Sequence, residues 1–416
     1  MDLRRHAAVI GPLLAGAVAL LLAACGDNPG LPEDLGNVVR YPMAMAAVPS
    51  GELLFVAGAN FDRAFRGGKV RILDTARDEY VAGSLEIPGY VGGVALQYPQ
   101  GATPTAALPE KLLVTSRDDD AITWAGFSSQ NATLNCGTHG SAGQCDSGHR
   151  FGFPTDTTPI GNDPMGIDVV PWGPGYWRVT VVTAASAKAT VLRMDAKGQF
   201  VVVDQIALTT GLYAVKTVPA TGRTYISTMG APYLHVLRID ADPTRPTGYK
   251  VVAEPTLVLP SVTATSYGRG LALSSDGARL YLADRSPQAV LEVDVTPGPS
   301  GAPRNAIAAV MTIGPGPSEI AVAPTGPNGR DLLYVSCFND DAVWVLDPYL
   351  RQTVDVIRLP HGPYAVTTVH VAAKAGDPKL WKLYVALFGA HKLAVVPIDP
   401  ASAARNMVQS LLSGNP

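Results

Sequence analysis

An all-β fold made of one sheet unit repeated around a ring is the class this sequence predicts, on three observations. A strand phrase recurs along the chain: a short apolar run of the Leu-Tyr-Val kind, a turn, then a second run ending in Asp. It reads LLFVAG (53–58) with KVRILD (69–74), RLYLAD (279–284) with AVLEVD (289–294), LLYVSC (332–337) with AVWVLD (342–347), and KLYVAL (382–387) with KLAVVPID (392–399). The period is about 50 residues, which for strands marks the four-stranded blades of a β-propeller. The composition fits as well: 42 Gly and 35 Pro supply turns, and 47% hydrophobic residues supply a core.

Each blade needs an innermost strand, and these lie upstream of the Leu-Tyr-Val runs. They read AMAAV (44–48), GVALQ (93–97), GIDVV (166–170), AVKTV (214–218), GLALS (270–274), EIAVA (319–323) and AVTTV (365–369). Their starts are 49, 73, 48, 56, 49 and 46 residues apart. One interval is too long, so an insertion is placed at about 128–162 in blade 2. Seven four-stranded antiparallel blades over 37–412, in a single domain, are the prediction. The weaker blades are completed by KLLVTS (111–116) with AITWAGF (121–127), RVTVVT (178–183) with ATVLRMD (189–195), and RTYISTM (223–229) with YLHVLRID (233–240), all with the period of strands. Asp74, Asp195, Asp240, Asp294, Asp347 and Asp399 close the third strands and are expected to accept backbone N–H groups of the following turn. The ring is expected to close in blade 7, either through 37–41 (NVVRY) or through 406–412 (NMVQSLL).

Residues 1–24 read as an export signal. Arg4 and Arg5 precede an uncharged apolar run that ends in Leu22-Ala23-Ala24-Cys25. This ending resembles the lipobox of bacterial lipoproteins, which implies cleavage before Cys25 and a diacylglycerol on its thiol. An uncleaved spanning anchor is the alternative reading of the run. Residues 25–36 (CGDNPGLPEDLG) then form a flexible tether. The expected location is the cell envelope, on the periplasmic face or at the cell surface.

Loss of Asp2, Arg4 and Arg5 makes a formal charge of −3 one unit more negative, and no basic run exists, so nucleic-acid binding has little electrostatic support. Cys136 and Cys145 flank a Gly/Ser-rich loop and are expected to form a local disulfide in an oxidising compartment. A metal site with His139 and His149 is the alternative, although the spacing fits no standard zinc pattern. Cys337, inside LLYVSC, is expected to be a buried small hydrophobe.

The Leu-Tyr-Val phrase, the Pro-Met-Gly-Ile lead-in at 164–167 and the Pro-Ser-Glu-Ile lead-in at 317–320 resemble the YVTN-type β-propeller repeats of bacterial and archaeal envelope proteins. The resemblance covers about 37–412. It implies the fold, and it leaves lactonase, lyase, electron-transfer and pure binding roles open. The Tyr-Val-Thr-Asn sequence itself is absent, blade 2 departs from the pattern, and the Leu-Trp-Phe-Thr-Glu strand of the lyases does not occur.

Strand alternation places two rows of inner-strand residues on the channel. One row is Ala44, Gly93, Gly166, Ala214, Gly270, Glu319 and Ala365. The other is Ala46, Ala95, Asp168, Lys216, Ala272, Ala321 and Thr367. Asp168 and Lys216 read as an ion pair between neighbouring blades, or as ligand-binding groups. Glu319 has no evident partner. A Glu at this place is a metal ligand in gluconolactonase-like six-bladed propellers, so the resemblance implies Glu319 as a ligand of a divalent cation, Ca or Mg. The rim of the same face gathers Tyr213, Tyr267, Arg269, His361 and Tyr364, where aromatic and charged residues together suit a polar ligand. His361 and Glu319 are the acid/base candidates.

Two functions follow. The first is a lipid-anchored monomeric scaffold that binds an envelope protein, peptide or glycan. The second is a metal-assisted lactonase- or lyase-like enzyme with Glu319, Asp168 and His361 at its site.

Overall fold

The computed structural model describes residues 39–101, 107–137, 145–152, 159–260, 266–372 and 377–413. The leader, Cys25, the tether and His139 lie outside these residues. Seven antiparallel sheets form, each running outward from an innermost strand in chain order. The inner strands are Pro42–Ala47, Val91–Gln97, Pro164–Pro171, Leu212–Val218, Gly268–Leu273, Pro317–Ala323 and Pro363–Val371, one at or within two residues of each place read from the sequence. Contacts between successive inner strands, and between the first and the seventh, close the ring.

The core lies between blades. Tyr281, Ala283 and Val290 of blade 5 pack with Ile320, Leu333 and Val335 of blade 6. Leu54 and Val56 of blade 1 pack with Val369, Tyr384 and Leu393 of blade 7. Both faces of a blade are therefore covered by its neighbours. This is why second and third strands read as continuous apolar runs, at roughly 1.5–3 kcal/mol for each fully buried large side chain.

Ring closure falls to one of the two expected segments. Ser410–Leu412 pairs with Lys392–Pro397 and completes blade 7. Val39 to Tyr41 form no strand, and Val39 is buried against the blade 1–blade 7 seam.

The third-strand Asp behaves as expected at five of six positions. Asp74 accepts from Ala76 N and Arg77 N, and Asp347 accepts from Tyr349 N and Leu350 N. Asp195, Asp294 and Asp399 accept from turn amides in the same way. Asp240 is the exception. Its strand runs on to Ala241, so Asp240 binds Arg238 instead and Asp242 accepts from Thr244 N.

In blade 2 the outermost strand is split. Thr133–Asn135 and Arg150–Phe151 both pair with Ala121–Ser128. Between the two halves, Cys136 and Cys145 are joined, with Cα atoms 5.1 Å apart. Both are buried in the blade 1–blade 2 core. The bond removes the thiolates that the alternative metal site requires. His149 instead bonds Asp146 at 2.7 Å and packs on Trp124. Replacing both cysteines by serine is expected to lower stability by about 2.5 kcal/mol, the chain-entropy value for a loop of roughly ten residues. Urea unfolding checks this, and an unchanged midpoint refutes it. Cys337 is buried and free, and burial pushes its thiol up to about 12.

Candidate functional site

Every inner strand carries a one-residue bulge near its start. The pairing shifts between Pro42 and Ala44, Val91 and Val94, Pro164 and Ile167, Leu212 and Val215, Gly268 and Leu271, Pro317 and Ile320, and Pro363 and Val366. A bulge re-aims side chains. Tyr213, Arg269, Glu319 and Tyr364 all sit within these bulges. Strict alternation would turn Tyr213 and Tyr364 away from the row that holds Glu319, yet all three line one central cavity of about 500 Å³.

Second-strand hydroxyls hold the bulges in place. Ser336 Oγ accepts from Glu319 N at 3.1 Å and donates to Tyr364 O at 2.5 Å. Ser227 Oγ accepts from Ala214 N and donates to Arg269 O. Thr115 Oγ1 accepts from Gly93 N and donates to Met165 O. Each hydroxyl thus ties its own blade to the next, and two of the three anchor residues of the site.

At the mouth, the Tyr213 hydroxyl donates to Glu319 Oε1 at 3.2 Å and lies 2.7 Å from the Tyr364 hydroxyl. With its own proton turned to Glu319, Tyr213 accepts from Tyr364. Tyr213 comes from blade 4 and Tyr364 from blade 7, so the pair spans the channel. The Arg269 guanidinium stacks on the Tyr213 ring at 4.6 Å. Arg285 donates to Pro317 O and Ser318 Oγ. Arg117 is paired with Asp163. Burial opposes the charge of Arg117, but Asp163 and then Tyr364 and Tyr213 hold it charged. The cavity beneath the tyrosines does not include these three arginines in its lining.

Glu319 lies inside the protein with its carboxyl facing the cavity. Burial pushes it up to about 7, against the pull of the Tyr213 hydrogen bond and of Arg269 and Arg285. Burial, and then Tyr364 and Glu319, also raise Tyr213. The carboxyl stands over Gly270, where an added Cβ would lie 2.2 Å from Oε2 and 2.9 Å from the Glu319 Cα. Only glycine leaves that space.

The structure brings Glu319, Tyr213, Tyr364 and Arg269 together, and it places the remaining candidates apart. Asp168 and Lys216 form the ion pair, 3.9 Å apart, lower in the same cavity, and Asp168 also accepts from Thr217 N. His361 is a rim residue, 74% exposed at its side chain, and its partner is Asp341 at 3.3 Å rather than Glu319. His361 is thus a surface histidine, and the partner of the Glu319 carboxyl is Tyr213, which reaches it from across the ring. Tyr267 is 45% exposed and off the channel, its backbone held by Asp284. Among the described residues no group of three or more His, Cys, Asp or Glu side chains gathers as a metal site. Glu319 is surrounded by phenols and guanidinium groups, and this donor set does not fit Ca or Mg.

Sequence reasoning missed Arg117, Arg285 and the three hydroxyls. A signal for each was present. Arg117 follows the second strand of its blade and Arg285 ends that of its own, and Thr115, Ser227 and Ser336 stand where blades 1, 5 and 7 carry Ala57, Ala283 and Ala386.

No protein-family model matches the chain, and no curated protein matches it. Solved structures do. Hydrazine synthase of Kuenenia stuttgartiensis is 16% identical over 90% of this chain and 98% of that chain, with a TM-score of 0.54. The periplasmic gluconolactonase of Pseudomonas aeruginosa is 17% identical over 78% and 87%, with a TM-score of 0.54. The Cps50 (Swd1) β-propeller domain of Myceliophteria thermophila is 9% identical over 86% and 98%, with a TM-score of 0.55. At these identities the likeness is one of fold, a seven-bladed propeller.

Proposed function

We propose that this chain is an envelope binding propeller, tethered through lipid on Cys25, that takes the anionic group of a peptide, protein or glycan partner at the channel mouth. Arg269 carries the reading. None of its guanidinium nitrogens has a hydrogen-bond or ion-pair partner among the described residues, and its Nε is buried. Leaving buried donors without acceptors costs about 1–3 kcal/mol, which a bound anion recovers. A planar guanidinium held by an aromatic face presents two parallel donors that match a carboxylate or phosphate. Phe338 and Phe388 lie beside Tyr364 and add apolar contact area.

The test is calorimetric titration with short acidic peptides and uronic-acid oligosaccharides. Arg269→Ala is expected to weaken binding ~10–100-fold, the value of a charged hydrogen-bonded contact, while Arg330→Ala on the opposite face leaves it unchanged. Equal binding by wild type and Arg269→Ala sinks this reading.

A second reading has its own support. A carboxyl near 7, hydrogen-bonded to a phenol and close to Arg269, is poised to exchange a proton at neutral pH. It suits a ring ester whose leaving oxygen needs a proton and whose charge needs Arg269. Turnover of a lactone panel, lost in Glu319→Gln, would favour this enzyme over the binding protein. No turnover by the wild type would dismiss it.

A further inference from the structure

The channel mouth is not the only built feature of its face. An arc of aromatic rings runs along the rim from blade 2 to blade 6. Tyr90, Phe61 and Tyr41 stand at 5.4 and 5.7 Å centroid spacings, Phe388 packs on both Phe61 and Tyr41, and Phe338 follows at 6.2 Å. The Tyr41 backbone N–H donates to His391 Nδ1, which fixes the place where the chain joins the fold. Phe61 projects from this arc half-exposed. Arg40 stacks on Phe65 and Arg63 on Tyr90; the Arg63 side chain is 71% exposed and lies 3.7 Å from the Asp118 carboxylate, itself 37% exposed. Half-buried aromatic rings with arginines at their edge are the composition of a protein surface that rests at a bilayer interface. There the ring bodies meet acyl chains and the guanidinium groups meet phosphates.

The chain outside the described residues points the same way. Residues 26–38 separate Cys25 from Val39. A chain of that length spans about 20 Å on average as a random coil and at most about 50 Å fully extended. It joins the fold at the aromatic rim, beside Tyr41. A lipid on Cys25 is therefore attached on the side of this rim, and the opposite face is an inner strand further away, about 20–30 Å for six to nine residues.

We infer that the rim formed by Tyr41, Phe61, Tyr90 and Phe388, with Arg63, docks on the lipid headgroup surface, so that the channel mouth opens toward the membrane that anchors the protein. This rests on the lipid anchor in the function proposed above, and not on the ligand at Arg269.

The test uses the full lipidated chain in vesicles of phosphatidylethanolamine and phosphatidylglycerol. Ala64→Cys, exposed beside Phe61, and Lys197→Cys, exposed on the opposite face, each receive a spin label. Cys337 is buried and Cys136 and Cys145 are bonded, so the label reads the introduced thiol. The label at 64 is expected to collide several-fold more with oxygen, and several-fold less with a water-soluble nickel chelate, than the label at 197. Adding Phe61→Ser is expected to move it back toward the value at 197. Equal values at 64 and 197 on a chain that carries diacylglycerol overturn the docking alone, and turn attention to a protein partner for the arc. A chain whose Cys25 carries no diacylglycerol by mass spectrometry overturns the anchor and this inference together.

Discussion

Asp78→Ala is expected to cost about 3–5 kcal/mol, the range for breaking a buried charge pair from one side. Asp78 lies in the turn after the third strand of blade 1. It accepts from Lys382 Nζ at 2.8 Å and from the Tyr384 hydroxyl, both in blade 7 and both more than 300 residues away. These bonds cross the seam where the ring closes. Lys382 and Asp78 are only 16% and 17% exposed at their side chains, so the pair is poorly screened. Without the carboxylate, Lys382 keeps, among the described residues, only Thr75 O at 2.8 Å, and Tyr384 keeps the same carbonyl at 3.2 Å. Alanine would also sit at φ 57°, which adds about 1 kcal/mol. Asp78→Asn tolerates that backbone and keeps an acceptor, so it is expected to lose about half as much. Urea unfolding of the three proteins checks this. A loss under about 1 kcal/mol in Asp78→Ala would show that the seam is held by its apolar contacts alone.

Glu319→Gln is expected to stabilise the protein above neutral pH and to leave it unchanged in acid. Burial raises the Glu319 carboxyl from the usual 4.5 to about 7. The folded state therefore keeps its proton where the unfolded state has lost it. Below 4.5 both states are protonated and the group contributes nothing. Between 4.5 and 7 stability falls as pH rises, and above 7 the full penalty is present, at most about 3 kcal/mol for a shift of this size. Glutamine keeps an acceptor for Tyr213 and carries no charge. Its melting temperature should match wild type near pH 4.5 and exceed it by about 4 °C at pH 8. A lower melting temperature at pH 8 would mean that Arg269 and Arg285 outweigh the desolvation of the carboxylate.

Most of the fold was legible because propeller blades repeat. A phrase such as LLYVSC with AVWVLD leaves the same trace seven times over, and the spacing of the traces counts the blades. Inner strands were found to within two residues, and the one long interval located the split outer strand of blade 2. The split itself was invisible, since Thr133–Asn135 and Arg150–Phe151 are too short to show a period. Asp240 misled for a similar reason: one further residue of strand, Ala241, moved the turn to Asp242.

The site was half legible. Glu319 stood out as a charged residue in a row of Gly and Ala, which is a local signal. Its partners did not, because they come from other blades and arrive through bulges. A bulge adds one residue and overturns the alternation by which a strand is read, so Tyr213 and Tyr364 seemed to belong to rim loops. His361 is close to the mouth in sequence terms, yet the turn holds it against Asp341.

The sequence by itself determined the blade count, the antiparallel order, the buried Cys337 and the cysteine pair, since each is written in local pattern or short separation. Only the tertiary structure decided which segment closes the ring, which residues meet Glu319, and that Arg269 faces Tyr213 with no acceptor among the described residues. The site contacts join residues 56 to 151 positions apart, and no local periodicity encodes where a closed ring brings its opposite sides together.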